Sequence, residues 1–265
     1  METAGSDGHG GEAYSPQLIT LLEGVWGEGY LSPGGRDEVA RILAGVDLTG
    51  SRVLDIGCGA GGIDIELITA FGCDHVTGVD VEAGVLRRAR ELVAAHALAD
   101  RIDLIQVDPG PLPFAAECFD VVFAKESFLH VEDKLCLMQD LYRLLKPGGY
   151  LLASDWLMAT EQPSPQMSDY MAAEGLGFCM ASARVLEQAM AAAGFIDVRI
   201  TSRNAWYRQQ AREELRELEC AHAIFSGDPG FRVFMAHNIE LWKQMIGVLD
   251  SGEHCPSHLY ARKPR

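Results

Sequence analysis

The stretch VLDIGCGAGG, residues 53–62, joins an apolar strand to an acid and a cluster of glycines. The glycines at positions 57, 59 and 62 satisfy the spacing G-x-G-x-x-G, which lets a backbone loop approach a ligand closely. In open α/β sheets the ligand binds at the carboxyl ends of the strands, where the strand order reverses. Because the first strand ends at Gly57, we expect this loop to lie at that point.

The sequence around this loop alternates between short apolar runs and helical segments. The runs are typical of parallel strands that are buried on both faces, and helices fit between and after them. The predicted strands are 52–57, 75–80, 102–108, 119–126 and 150–156, and the helices are 61–71, 82–97, 131–145 and 181–193. This alternation predicts a doubly wound α/β sheet, to which 195–203 and 257–264 add two strands.

The other segments are predicted to flank this sheet. Residues 1–12 are rich in Gly and Asp, which indicates a disordered tail, and 13–265 is predicted to be a single domain. Within that domain, 13–50 forms an N-terminal helical lid whose first helix is capped by Ser15. A polar helical insertion at 205–250 precedes the last strand and is predicted to be a second lid or an edge of the fold.

Composition and charge restrict the class of partner. The 265 residues carry a formal net charge of −16, which repels phosphate backbones and argues against nucleic acid as a ligand. Seven cysteines without a CxxC pair favour a reduced, cytoplasmic protein. No apolar run reaches the ~20 residues needed to cross a bilayer, so a membrane is not an expected partner. A monomer and a homodimer both fit the sequence.

The glycine loop alone does not identify the nucleoside that it holds. Asp80 ends the second strand, where a carboxylate accepts hydrogen bonds from two ribose hydroxyls in NAD as in other nucleosides. Asp55 lies inside the first strand, where a carboxylate repels pyrophosphate and suits a cationic ligand. Asp108 closes the third strand and is placed, with Pro109, to contact an adenine edge.

With KESFLH after the fourth strand and LLKPGGYLL at 144–152, these motifs resemble the class I S-adenosylmethionine-dependent methyltransferases over residues 51–156. The resemblance implies a seven-stranded Rossmann-like sheet, S-adenosylmethionine as the cofactor, S-adenosylhomocysteine as its product, and no metal. It also implies a cofactor site. That site is expected to contain Asp55, Gly57, Gly59, Asp80 and Asp108, together with Tyr30, Ser32, Cys58, Val81, Pro109 and Lys125.

The motifs VWGEGYLSPGG, KESFLHVED, ASDW and SRNAWYRQQ are further similar to the single-domain phosphoethanolamine N-methyltransferases. That family uses a tyrosine–histidine pair near the transferring methyl group, and its positions match Tyr14 and His130. By the same resemblance Glu126, where the family has aspartate, lies near the amine. The expected acceptor site also contains Tyr30, Trp156, Tyr170 and Phe178.

The sequence departs from this family where the acceptor is bound. The family holds a phosphate with an arginine and tyrosines after the fifth strand, but the matching segment, 168–182, contains no arginine. Burying a phosphate without a cation is costly, although Arg184, Arg203 or Lys243 could supply one from elsewhere. We therefore expect N-methylation of a small amine or amino-acid-like acceptor by in-line methyl transfer.

Several alternatives remain open from the sequence. The nucleophile could be the sulfur of a thioether or an oxygen of a carboxylate-bearing metabolite, and phosphoethanolamine could be held by an unusual phosphate site. An NAD(P)-dependent oxidoreductase would share the glycine loop. A binding module could also retain the cofactor site without turnover.

Two further segments carry local signals. SGEHCPSH, 251–258, contains His254, Cys255 and His258, which could suggest a metal, but the proline between them and the lack of a partner cluster favour a surface turn. ATEQPSPQMSD, 159–169, contains two prolines and is predicted to be a loop that covers the substrate.

Overall fold

The structure, a computed structural model that describes residues 14–265, is built around a seven-stranded sheet. The strands are β1 Arg52–Ile56, β2 His75–Asp80, β3 Ile102–Gln106, β4 Phe119–Lys125, β5 Leu145–Asp155, β6 Ile196–Ser202 and β7 Ser257–Arg262. Their order is β3-β2-β1-β4-β5-β7-β6; β1 to β5 are parallel, and β7 is antiparallel to both of its neighbours. The order reverses between β1 and β4, which places the glycine loop at the switch point. The predicted fold class and its seven strands are confirmed.

Helices pack on both faces of the sheet and above its carboxyl edge. They are α1 Pro16–Trp26, α2 Gly35–Ile42, α3 Gly62–Thr69, α4 Ala83–Ala95, α5 Lys134–Leu144, α6 Pro165–Glu174, α7 Ala183–Ala193, α8 Asn204–Ile224 and α9 Pro229–Asp250. The four helices predicted between and after the first five strands are confirmed as α3, α4, α5 and α7. The tail predicted at 1–12 lies outside the described residues. From residue 14 onward, no helix combines the length and the apolar character that crossing a bilayer requires.

Alternate residues of the central strands face two different apolar layers. Leu54 and Leu151 pack with side chains of α5 and α7 on one face. Val53 and Leu152 pack with side chains of α2, α3 and α4 on the other. Burial on both faces explains why these strands are continuous apolar runs in the sequence. The two layers hold the strand ends firmly, and this fixes the loops that follow them.

A third apolar cluster lies above the carboxyl edge and joins α1, α6, α8 and α9. The insertion predicted at 205–250 is the hairpin of α8 and α9. Glu214 of α8 is buried and accepts hydrogen bonds from the indole nitrogens of Trp26 in α1, at 2.7 Å, and Trp242 in α9, at 3.2 Å. One carboxylate therefore fastens the N-terminal helix to the insertion, and the two segments form one cover over the sheet edge.

Two local predictions are wrong. His254 is not part of a surface turn: it is fully buried, with its ring 5.2 Å from that of Trp156, because β7 inserts between β5 and β6 and draws the preceding residues inward. Its burial lowers its pKa to about 4.

The segment 159–169, predicted to be a loop, is a loop only in its first part, since Pro165 begins α6 with Ser164 as its N-cap.

A buried ion pair ties α2 to the antiparallel side of the sheet. Glu38 accepts two hydrogen bonds from the guanidinium of Arg203, at 2.8 and 2.7 Å, and lies 2.7 Å from a ring nitrogen of His258. Burial by itself raises the pKa of Glu38, but the hydrogen bonds from His258 and Arg203 outweigh it and lower that pKa to about 2. The carboxylate is therefore charged in the folded protein well into the acid range.

We expect Glu38→Gln to lower the free energy of unfolding at pH 7 by about 3–5 kcal/mol, the usual cost of removing one partner of a buried ion pair. The pKa of Glu38 is lower in the folded chain than the ~4.3 of an unfolded glutamate, so this stabilisation is present above that pH and is lost as the pH falls towards 2. Urea unfolding of both proteins from pH 7 to pH 3 measures the effect.

The control is Glu240→Gln, which removes an exposed carboxylate 3.9 Å from Lys243 and should change stability little. The difference between wild type and Glu38→Gln should shrink as the solution becomes more acidic. A difference that stays constant over this range would contradict the assignment of the low pKa to Glu38.

Candidate active site

A cavity of about 740 Å³ lies at the carboxyl edge of the sheet, beneath the cover formed by α1 and α9. This volume is typical of sites for small molecules and cofactors. The predicted cofactor residues that line its floor are Ser32, Gly57, Cys58, Gly59, Asp80, Val81, Asp108, Pro109 and Lys125. The predicted acceptor residues that line it are Tyr14, Glu126, His130, Trp156 and Phe178.

The loop after β1 has a backbone that requires glycine. Gly57 and Gly59 have φ values of 71° and 56°, and a Cβ on Gly57 would lie 2.6 Å from the Cβ of Ser127. Gly62 begins α3 against the backbone of Gly29, where an added Cβ would come within 2.7 Å. The glycines therefore let the loop pack between two neighbouring segments while its backbone faces the cavity.

Asp80 ends β2 and fixes the glycine loop. Its Oδ2 accepts a hydrogen bond from the backbone N–H of Gly59 at 3.0 Å, and its Oδ1 accepts one from Glu82 at 2.9 Å. Burial raises the pKa of Asp80, and these two backbone hydrogen bonds oppose the rise. A carboxylate has about four acceptor positions, so Asp80 can still accept hydrogen bonds from vicinal hydroxyls in the cavity.

Asp55 does not reach the cavity. It is buried in β1 beside Asp64 of α3, and burial raises the pKa of both carboxyl groups well above their usual range. In the described chain, no donor outside this pair reaches either carboxyl group. Two close carboxyl groups without a cation hold a proton near neutral pH. Asp55 therefore supports the loop from below instead of lining the ligand space as expected.

Two predicted site tyrosines also face away from the cavity. Tyr30 donates its hydroxyl to Oε2 of Glu66 at 2.5 Å, in the apolar layer beneath α3. The phenol of Tyr30 therefore turns towards a carboxylate of its own surroundings, which satisfies a buried hydroxyl. Tyr170 of α6 is fully buried behind the cavity wall, its hydroxyl has no hydrogen-bond partner in the described chain, and burial followed by the charge of Glu174 raises its pKa.

Glu126 lines the cavity, and its carboxylate already interacts with three protein groups. Oε1 accepts hydrogen bonds from Ser154, at 2.7 Å, and from the hydroxyl of Tyr207, at 2.6 Å. Oε2 lies 3.0 Å from the ammonium of Lys125, which also donates to Oγ of Ser32 at 2.5 Å. Glu126 therefore already has a cationic partner in Lys125, which makes it less suited to an incoming ammonium than the sequence led us to expect.

His130 lies at the mouth of the cavity in a 3₁₀ turn after β4. Its Nδ1 is 3.2 Å from the carbonyl oxygen of Leu176. Because a carbonyl can only accept, Nδ1 carries the proton and Nε2 keeps its lone pair in the neutral ring. Partial burial lowers the pKa of His130, and the charge of Lys134 lowers it further, which favours the neutral form.

Tyr14 lines the same side of the cavity as a neutral phenol. Burial raises its pKa, and nearby carboxylates, among them Asp80 and Glu174, raise it further. The hydroxyl can therefore orient a ligand by hydrogen bonding, but it does not ionise under ordinary conditions. Phe178 lies between His130 and Trp156, with ring centroids 5.5 and 5.7 Å away, and completes an aromatic wall.

The charged side chains of the cavity are almost all acidic. Seven carboxylates line it: Asp80, Asp108, Glu126, Glu132, Asp133, Asp140 and Glu174. Over residues 14–265, the cationic or titratable bases that line it are Lys125, His130 and His237, and no arginine does. The cations considered from the sequence, Arg184, Arg203 and Lys243, pair elsewhere with Glu161, Glu38 and Glu219.

Sequence reasoning missed Glu174 and the contribution of α9. The roof of the cavity includes Phe234, Leu241, Trp242 and Met245 of that helix. Their spacing is that of one face of a helix, and this was the signal in the sequence. The charged residues that surround them led to the prediction of a polar insertion.

Comparisons with known proteins agree with this geometry. A family model described as a methyltransferase domain matches residues 47–218. Phosphoethanolamine N-methyltransferase 1 of Arabidopsis thaliana is 30% identical over 216 residues, which are 81% of this chain and 43% of that protein. The chain therefore spans less than half the length of this relative.

Solved structures resemble this chain beyond residues 47–218, including the segments that cover the sheet edge. Phosphoethanolamine N-methyltransferase 2 of Haemonchus contortus in complex with S-adenosyl-L-methionine has a TM-score of 0.85 and 27% identity, over 95% of this chain and 58% of that one. The Haemonchus contortus structure with phosphomonomethylethanolamine and S-adenosylhomocysteine has a TM-score of 0.83 and 27% identity, over 93% and 57%. Since the family model matches more than half of the sequence, this chain belongs to the methyltransferase domain family.

Proposed function

We propose that this protein is an S-adenosylmethionine-dependent methyltransferase that N-methylates a small amine without a phosphate group. The observation that carries the proposal is a cavity lined by carboxylates and aromatic rings, and by no arginine of the described chain, beside Tyr14 and His130. An ammonium is attracted to such a site, whereas a phosphate is repelled. The similarity to known methyltransferases supports methyl transfer as the reaction, and the negative charge of the cavity supports an amine as the acceptor.

The cavity floor fits S-adenosylmethionine better than a dinucleotide. The Gly59 N–H, which a pyrophosphate would need, already donates to Asp80. The sulfonium of S-adenosylmethionine is positive and suits a negative site, while a pyrophosphate does not. In this proposal Asp80 would accept hydrogen bonds from the ribose hydroxyls, and Asp108 and Pro109 would contact the adenine. When bound, the cofactor supplies an electrophilic methyl group.

The residues on the acceptor side supply alignment and a base. An alkyl amine has a pKa near ~10, as lysine has, so it must lose a proton before its nitrogen can attack. The free Nε2 of His130 accepts this proton, and because the partly buried ring lies at the mouth of the cavity, the proton can leave to solvent. The neutral hydroxyl of Tyr14 orients the nitrogen, and the aromatic wall reduces the access of water.

A panel of acceptors tests the proposal. Release of S-adenosylhomocysteine is measured with ethanolamine, phosphoethanolamine, amino acids, biogenic amines and thioethers at equal concentrations. We expect turnover of unphosphorylated amines, and of phosphoethanolamine at most weakly, because no described arginine lines the cavity and its described lysine, Lys125, is already paired with Glu126. Preferred turnover of phosphoethanolamine or of a thioether would contradict the proposed acceptor. Thermal protection by NADH instead of S-adenosylhomocysteine would contradict the cofactor.

A further inference from the structure

We infer that Glu174 binds the cationic group of the methyl acceptor and thereby selects an amine against its phosphorylated counterpart. This inference rests on the proposed function and names the residue that gives the same site its specificity. It replaces Glu126, the residue expected from the sequence, whose two oxygens are held by Ser154, Tyr207 and Lys125.

Glu174 lies close to the groups that act on the acceptor. It is the last residue of α6, and its side chain lines the cavity. After burial and Asp80, its charge contributes to the raised pKa of Tyr14, which lines the same cavity. Two residues further on, the carbonyl of Leu176 accepts the hydrogen bond that orients His130. Glu174 therefore borders the space between the tyrosine and the histidine.

Glu174 also lacks the protein partners that other carboxylates of the cavity have. Asp80 accepts two backbone hydrogen bonds, and Asp140 pairs with Arg143 at 2.7 Å. For Glu174, burial raises the pKa, and no lysine or arginine of the described chain pairs with it. A bound ammonium would supply the missing charge and would recover part of the cost of burying the carboxylate.

The surroundings of Glu174 suit an organic cation. Trp156 and Phe178 line the same cavity with their ring centroids 5.7 Å apart, and aromatic rings attract ammonium groups. In the family that the sequence resembles, the segment matching 168–182 holds a phosphate by an arginine and tyrosines. Here the titratable side chain that this segment presents to the cavity is Glu174, so an acidic group stands where that family has a basic one.

The test uses the fastest amine of the acceptor panel, with ethanolamine as the default probe, on the full chain. Glu174→Gln should raise KM for the amine about 10- to 100-fold, as expected for losing a hydrogen bond to a charged group. It should change kcat and the Kd of S-adenosylhomocysteine little. The preference for ethanolamine over phosphoethanolamine should narrow, since the substitution removes a repulsion of the phosphate.

Two control variants separate recognition from folding. Glu174→Asp keeps the charge and should restore much of the affinity for the amine, while Glu187→Gln changes an exposed glutamate of α7 and should leave KM unchanged. An unchanged KM in Glu174→Gln would overturn the inference. So would a loss of cofactor affinity and thermal stability that Glu174→Asp fails to restore. If the wild-type protein methylates no unphosphorylated amine, the proposed function fails before any variant is compared.

Discussion

Replacing His130 by alanine should lower kcat for amine methylation by about 10²- to 10⁴-fold, the range that a general base contributes. The hydrogen bond from Nδ1 to Leu176 leaves Nε2 as the free base at the mouth of the cavity. Because the pKa of His130 lies below its usual value, wild-type activity should rise with pH on the acid side and should be level above neutrality. The variant should lose this acid limb.

Release of S-adenosylhomocysteine at saturating acceptor, from pH 5 to pH 9, measures both effects. His96→Ala is the matched control, since this exposed histidine bonds only to a carbonyl of its own helix, at Leu92, and should leave the rate and the profile unchanged. A His130→Ala protein that retains its rate would show that the nucleophile needs no base. That outcome would favour a thioether acceptor.

Replacing Asp80 by alanine should weaken the binding of S-adenosylhomocysteine by about 10²- to 10⁴-fold. The expected loss is that of two hydrogen bonds from the ribose to a charged group, each worth about 1.5–3 kcal/mol. The substitution also frees the N–H of Gly59 and of Glu82, which loosens the glycine loop that packs against the cofactor.

Calorimetric titration of S-adenosylhomocysteine into both proteins measures the change in Kd. Asp74→Ala, which removes an exposed aspartate from the turn before β2, serves as the control. Asp80→Asn refines the result, because its amide keeps one acceptor oxygen and should lose less affinity than alanine. Unchanged affinity in Asp80→Ala would place the ribose elsewhere.

The floor of the site was predictable because topology decides it. Once the apolar runs identify parallel strands, their carboxyl ends must meet at one edge, and this brings Gly57, Asp80 and Asp108 together without any knowledge of side-chain packing. The N-terminal helix was predictable for a local reason, since Ser15 and Pro16 form an N-cap and a first turn that need no tertiary partner.

The acceptor side was less predictable because long-range contacts decide it. Tyr30 turns away to reach Glu66, and Glu126 is occupied by Tyr207, which lies 81 residues further along the chain. A sequence motif identifies the position of such a side chain but not the distant residue with which it forms a hydrogen bond. Glu174 escaped notice for a related reason: it matters because it lacks a cation, and only the folded arrangement shows this.

The carboxylate of Glu214, which fastens α1 to α9, also arranges the chromophores of the protein. Of the four tryptophans in the sequence, Trp26, Trp156 and Trp242 line the cavity, and the first and last lie with ring centroids 5.7 Å apart. Indole emission responds to the polarity around the ring, so a molecule that displaces water from this space alters the signal of three emitters together. Ligand binding to the cavity can therefore be followed by intrinsic tryptophan fluorescence, without a label.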